Sequence, residues 1–174
     1  MANWLQEFYK LHAEAIERHT GLAQNLVAVE EALESDRAAG VIKAETLKTI
    51  EECPAWTYPW WWPRMSQVYQ SAIPIPTSLV DEGDRHRLVE AMWEELHHIE
   101  VVSVVLRFMC PEHFGVISPP VVSFLHMTPG GNSIADYERY LRVLRSLGGQ
   151  YGLPRVADVD MAVWSAAHLY MDRD

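Results

Sequence analysis

Three stretches of this chain carry side chains whose types and spacing could do chemistry. The first, Glu94-Glu95-Leu96-His97-His98-Ile99-Glu100, holds two overlapping Glu-x-x-His pairs, Glu94 with His97 and Glu95 with His98. On a helix that spacing sets a carboxylate and an imidazole on one face, the arrangement of ferritin-like, carboxylate-bridged metal bundles. Such a centre also needs a second Glu-x-x-His and further glutamates. Glu14 and Glu17 could supply carboxylates and His12 or His19 a nitrogen, but the second pair is missing. An ordinary polar helix end is the simpler expectation, with no cofactor. The second stretch, Phe114-Gly115-Val116-Ile117-Ser118-Pro119-Pro120, ends an apolar run on a hydroxyl, with His113 close by in sequence. No Gly-x-Ser-x-Gly elbow surrounds Ser118, and no Walker loop or cysteine-based zinc spacing occurs in the chain. The third, WTYPWWWPRM, sets Trp60, Trp61 and Trp62 beside Arg64. It could be a packing loop, a stacking platform for a planar ligand, or a surface for a protein partner. Three adjacent indoles on an irregular backbone point in different directions.

The elements that must position these residues are helical. Trp4, Leu5, Phe8, Leu11, Ala15 and Ile16 recur at three- and four-residue steps, marking an apolar stripe. A second helix is expected over LAQNLVAVEEALESDRAA, closed by Gly40 as a C-terminal cap, and a short one over KAETLKTIEE. From Cys53 to Pro76 five prolines interrupt any helix. Asp81 opens the next helix, DEGDRHRLVEAMWEELHHI, and VVSVVLRFM reads as a helix buried nearly all round. Another begins near Pro120. Ser133 with Asp136 resembles a capping box for DYERYLRVLRSL, which Gly148 and Gly149 are expected to end. Asp158 or Asp160 is expected to open the last helix, DMAVWSAAHLYM. The expected architecture is all-α, one compact multi-helix domain over 1–174. Its parts are N-terminal helices (1–52), a Pro/Trp-rich loop (53–80) and a helical core (81–174).

Charge narrows the function classes. A formal net charge of −10 over 174 residues disfavours duplex binding, which needs a basic footprint to release counterions from phosphates, so nucleic-acid binding is expected to be weak at most. Arg139, Arg142 and Arg145 fall on one side of a helix, a stripe that reads first as a solvated face. No apolar run is long enough to span a bilayer, and the acidic, amphipathic residues 1–19 are unlike a secretory signal, so a cytoplasmic protein is expected. Cys53 and Cys110 are expected as buried free thiols.

Read together, LHHIEVVSVVLRFMCPEHFGVISPPVVSFL resembles the helix-hairpin-helix DNA glycosylase superfamily, whose pattern is Leu-x-Gly-Val-Gly-x-x-Thr-Ala, an apolar helix, a Phe-Pro loop and Val-Asp-x-x-Val. Leu96 and Ile99 match the hairpin's apolar positions, Ser103 stands at the Thr, Phe114 and Val116-Ile117 match the loop, and Val121 and Leu125 match the following helix. The resemblance covers roughly residues 85–170 and implies a glycosylase-like helical core in the C-terminal half. Its departures bear on activity. His98 and Glu100 stand at the hairpin glycines that let backbone N–H groups approach a phosphate, and Ser118 stands at the catalytic Asp. The chain's lysines all lie at Lys48 or before, so none is at the hairpin to form a Schiff base. Ser118-Pro119-Pro120 then reads as a helix start, serine as N-cap and proline at the first helical position. The resemblance therefore implies a non-catalytic or altered-chemistry relative. An acidic interaction module using the Trp-rich loop is the alternative.

Overall fold

The chain is built around one short helix whose every side exists to be covered. In the computed structural model, which describes residues 3–11, 25–52, 69 and 71–171, the central helix is α6, Ile99–Met109. All of its residues from Val101 to Met109 are buried. Its valines suit a strand as well as a helix, but a strand here would have had no partner. The ladder among the described residues is two residues long, β1 (Val41–Ile42) antiparallel to β2 (Ile73–Pro74). Tyr69 knits it, its hydroxyl donating to the Ile42 carbonyl (2.6 Å) and accepting from the Ile73 N–H (3.0 Å). The expectation of a mostly helical chain holds, with this ladder as its exception.

In chain order the helices are α1 (Trp4–Lys10), α2 (Asn25–Ala32), α3 (Glu34–Ala39), α4 (Ala44–Glu51), α5 (Glu82–Leu96), α6, α7 (Pro119–Phe124), α8 (Ser133–Tyr151) and α9 (Val156–Met171). The second expected helix is broken at Leu33 into α2 and α3, and Gly40 caps α3 in the left-handed conformation (φ 67°). Asp81 caps α5 as its sequence implies, accepting from the Gly83 and Asp84 N–H groups. Against α6 pack α5, α8 and α4, while α9 packs on α8, on α7 and on α1. A single apolar cluster runs from Leu5 through Leu47, Phe108 and Tyr137 to Val163.

Two boundaries differ from the sequence reading, each for a local reason. The N-cap of α8 is Asn132, whose Oδ1 accepts from the Ala135 N–H (3.0 Å). Asp136 does not close a capping box with Ser133. Its carboxylate accepts from the Gly130 N–H instead and pairs with Arg139. Nor do Gly148 and Gly149 end the helix, which continues to Tyr151 and stops at Gly152 (φ 76°). Gly148 is there for close approach: a Cβ on it would lie 2.6 Å from the Leu153 carbonyl oxygen. Likewise α9 starts at Val156, ahead of both Asp158 and Asp160.

Long-range polar contacts tie the two halves together. Arg107 on α6 is only 3% exposed and its guanidinium reaches Glu30 of α2 at 2.6 Å, while Arg155 approaches the other oxygen of Glu30 at 3.4 Å. A buried cation survives only with such a partner, since an uncompensated charge there costs several kcal/mol. At the other side, Asn3, the N-cap of α1, and Gln6 within it donate side-chain N–H groups to the Tyr151 carbonyl (3.0 and 3.1 Å), and the Trp4 ring meets Tyr151 edge-on.

Candidate functional site

The Glu-x-x-His pairs depend on a helix that is not there. α5 ends at Leu96, and His97 and His98 form the two-residue turn into α6. His97 is left-handed (φ 51°) and His98 extended (φ −142°). Glu94 and Glu95 therefore remain on α5 while both histidines leave its surface, and the one-face geometry that a metal pair requires is lost. Glu95 accepts a hydrogen bond from the Ser71 hydroxyl, and Glu94 and His97 are exposed. Among the described residues no group of three His, Cys, Asp or Glu side chains converges as a metal site would require.

The same turn spans the residues that the sequence resemblance aligns with a hairpin. Its left-handed residue is His97, not His98 or Glu100, the two positions matched to glycine. Glu100 lies in the first turn of α6, where a carboxylate complements the helix dipole.

From the far end of α6 the chain returns alongside it as a strap, Pro111–Ser118. The strap is anchored near its start by the His113 and Phe114 N–H groups, which donate to the Cys110 carbonyl. Near its end the Ile117 N–H donates to Ser103 Oγ (3.2 Å), whose own proton goes to the Glu100 carbonyl (2.7 Å). Between these points Tyr137 donates to the Gly115 carbonyl (2.9 Å), and Asp160 Oδ2 accepts from the Val116 N–H (2.9 Å). Tyr140 contacts both the Val116 carbonyl and Asp160 Oδ1. Gly115 is required: a Cβ there would sit 2.8 Å from both the Asp160 Cβ and a Leu144 methyl. Burial raises the Asp160 carboxyl to about 6, despite the hydrogen bonds from Tyr140 and Val116 that favour its charge. Burial also holds both tyrosines well above the ordinary phenol range. This is a neutral-leaning polar rivet, and it sets where Ser118 stands.

Ser118 does occupy the N-cap position of α7, with extended backbone and Pro119 and Pro120 following. The capping bond expected of its side chain is not made. Two successive prolines remove the N1 and N2 donors, and the Ser118 Oγ is buried without a hydrogen-bond partner. Nor does His113 approach it. The strap holds His113 at the C-terminal end of α6 and Ser118 near its N-terminal end, so the two sit at opposite poles of the helix.

At the His113 pole lies a groove of about 660 Å³ between α5, the strap and the end of α8. Its polar lining is Arg85, Glu112, His113 and Arg145, and Leu153, Pro154 and Val156 form an apolar wall. Arg85 is fixed by donating to the Leu79 and Val80 carbonyls (2.5 and 2.6 Å), and its Nε is buried without a partner. Arg145 also has a buried, unpartnered Nε. Burial, then Arg85 and Arg145, lowers the His113 imidazole below its ordinary value. Burial and Arg85 together lower Arg145 as well. The arginine stripe seen in the sequence is thus split three ways. Arg139 bonds to Asp136 and Thr128, Arg142 meets Glu82 at 3.4 Å, and only Arg145 enters the groove.

Trp60, Trp61, Trp62, Arg64 and Cys53 lie outside the described residues. Cys110 is buried and burial pushes its thiol up to about 12, far from a reactive thiolate. No helix of the described residues is long and apolar enough to cross a membrane. No family model, curated protein or solved structure matches the chain.

Proposed function

We propose that the chain is a non-catalytic relative of the helix-hairpin-helix DNA glycosylases that keeps their helical scaffold without base-excision chemistry. The reading is supported by the order of parts: a two-residue hairpin into a buried helix, a returning strap, and Ser118 leading a proline-started helix. The observation that carries it is the state of Ser118. In the resembled family this position holds an Asp whose charge stabilises an oxocarbenium-like sugar. Here it holds a neutral hydroxyl, buried and without a hydrogen-bonding base to activate it. At the hairpin, Glu100 opposes a phosphate where glycine would admit one.

The test is incubation of the purified chain with duplex oligonucleotides carrying uracil, an alkylated purine or an oxidised purine. The expected result is no free base above the buffer control. Release of base by the wild-type chain that Ser118→Ala abolishes sinks the proposal.

A further inference from the structure

Arg145 is the one arginine among the described residues for which neither a hydrogen bond nor an ion pair holds the guanidinium. Arg37, Arg107, Arg139, Arg142 and Arg155 each have a carboxylate or carbonyl partner, as does the more exposed Arg87. In a chain of net charge −10, two guanidiniums and an imidazole converging on one groove is an arrangement that costs stability. The like charges repel, and the groove walls deny them full hydration. The nearby carboxylates, Glu82 acting on Arg145 and Glu112 on His113, relieve this only in part, because their ion pairs are made elsewhere: Glu112 with Arg155 and Glu82 with Arg142, each at 3.4 Å. Leu153, Pro154 and Val156 add an apolar wall to the same groove, whose volume is in the range of small-molecule sites. Gly149, exposed and also lining the groove, leaves the α8 backbone uncovered, with nothing within 4 Å of where a Cβ would be.

We propose that this groove binds a small organic phosphate monoester, Arg145 and Arg85 holding the phosphate and the Leu153–Val156 wall its apolar body. A guanidinium pair matches the oxygens of a phosphate with parallel N–H donors, and the neutral imidazole of His113 adds one more. A dianion compensates both arginines, where a single carboxylate leaves one charge uncovered. The same phosphate chemistry occurs at the 5′ end of a nucleic acid, but the chain's overall negative charge repels the polyanion that follows such an end. The free small molecule is therefore the assigned ligand. The site stands on the α5–strap–α8 groove and does not rest on the glycosylase-like reading, which concerns the opposite pole of α6.

Calorimetric titration of the full chain with phenyl phosphate, inorganic phosphate, benzoate and a 5′-phosphorylated oligonucleotide tests it. Phenyl phosphate is expected to bind saturably, at least tenfold more tightly than inorganic phosphate and benzoate. Arg145→Gln is expected to weaken it at least tenfold, and Arg142→Gln, on the same helix outside the groove, to leave it unchanged. Gly149→Glu adds a negative charge to the groove lining, where open space surrounds the Cβ, and is expected to abolish binding with Arg145 intact. No saturable binding of phenyl phosphate by the wild-type chain overturns the proposal. So does wild-type affinity in Arg145→Gln or Gly149→Glu, equal affinity for benzoate, or tighter binding of the oligonucleotide than of phenyl phosphate.

Discussion

Replacing Asp160 by Asn removes one ionisation from a buried polar site, and the structure sets both the sign and the size of the effect. Tyr140 has one hydroxyl proton and two acceptors in reach, the Val116 carbonyl and Asp160. With Asp160 ionised, the proton goes to the carboxylate and the carbonyl is left short. With Asp160 protonated, its own O–H serves Tyr140, and Tyr140 serves Val116. An asparagine amide donates in the same direction, so Asp160→Asn imitates the protonated state. The folded carboxyl stands at about 6 against an ordinary 3.8. Because the folded value is the higher, the folded state holds the extra proton. The associated stability is complete below pH 3.8 and is lost as pH rises through about 6. Roughly two pH units at about 1.4 kcal/mol each gives on the order of 3 kcal/mol. Urea denaturation of both chains between pH 3.5 and about 8 measures it. The variant is expected to match the wild type at the acid end and to exceed it by about 3 kcal/mol above pH 7. Taking the difference between the two chains removes the titrations of Asp158 and His86, which are common to both. Curves that run parallel across the range, or a variant that is weaker at neutral pH, refute the reasoning.

Two other substitutions follow from the same geometry. Ser118→Ala removes a buried hydroxyl that caps nothing, so thermal unfolding is expected to be unchanged or to move upward by up to about 1 kcal/mol. A loss of 1 kcal/mol or more shows that the hydroxyl makes a capping bond after all. Gly148→Ala is expected to cost about 1–3 kcal/mol, because its Cβ meets the Leu153 carbonyl. Its neighbour Gly149→Ala faces open space and is expected to gain about 0.5–1 kcal/mol from reduced chain entropy. Denaturation midpoints that rank the two glycine variants the other way contradict the close approach.

Much of the helical frame was legible because its signals are local. Asp81 before an acidic first turn, Gly40 after a helix, and Pro119-Pro120 at a helix start act over a few residues, and each is where the sequence implies. The misses are places where a distant partner overrides a local sign. Asp158 and Asp160 have the look of N-caps, yet Asp160 faces inward because the strap's Val116 N–H, 44 positions away, needs an acceptor. Gly148 looks like a terminator and is instead a contact. The Glu-x-x-His pairs failed at a boundary, Leu96, that only the hairpin geometry defines. For the groove, the sequence showed three arginines at one helical spacing, but nothing local separates Arg145 from Arg139 and Arg142. What separates them is the strap and α5 on the other side.

The seating of α1 has a consequence for how the protein is made. Residues 3–6 find their hydrogen-bond acceptor at Tyr151, up to 148 positions later, and their packing partner in α9 beyond it. During synthesis the Trp4 face emerges well before α8 and α9 and has no surface to meet until those helices have left the ribosome. Contacts of this span close a very long loop, which slows consolidation and leaves an apolar face uncovered meanwhile. A nascent chain arrested before Gly152 would therefore carry Trp4 and Leu5 exposed, an invitation to chaperones, until α9 emerges and sheathes them.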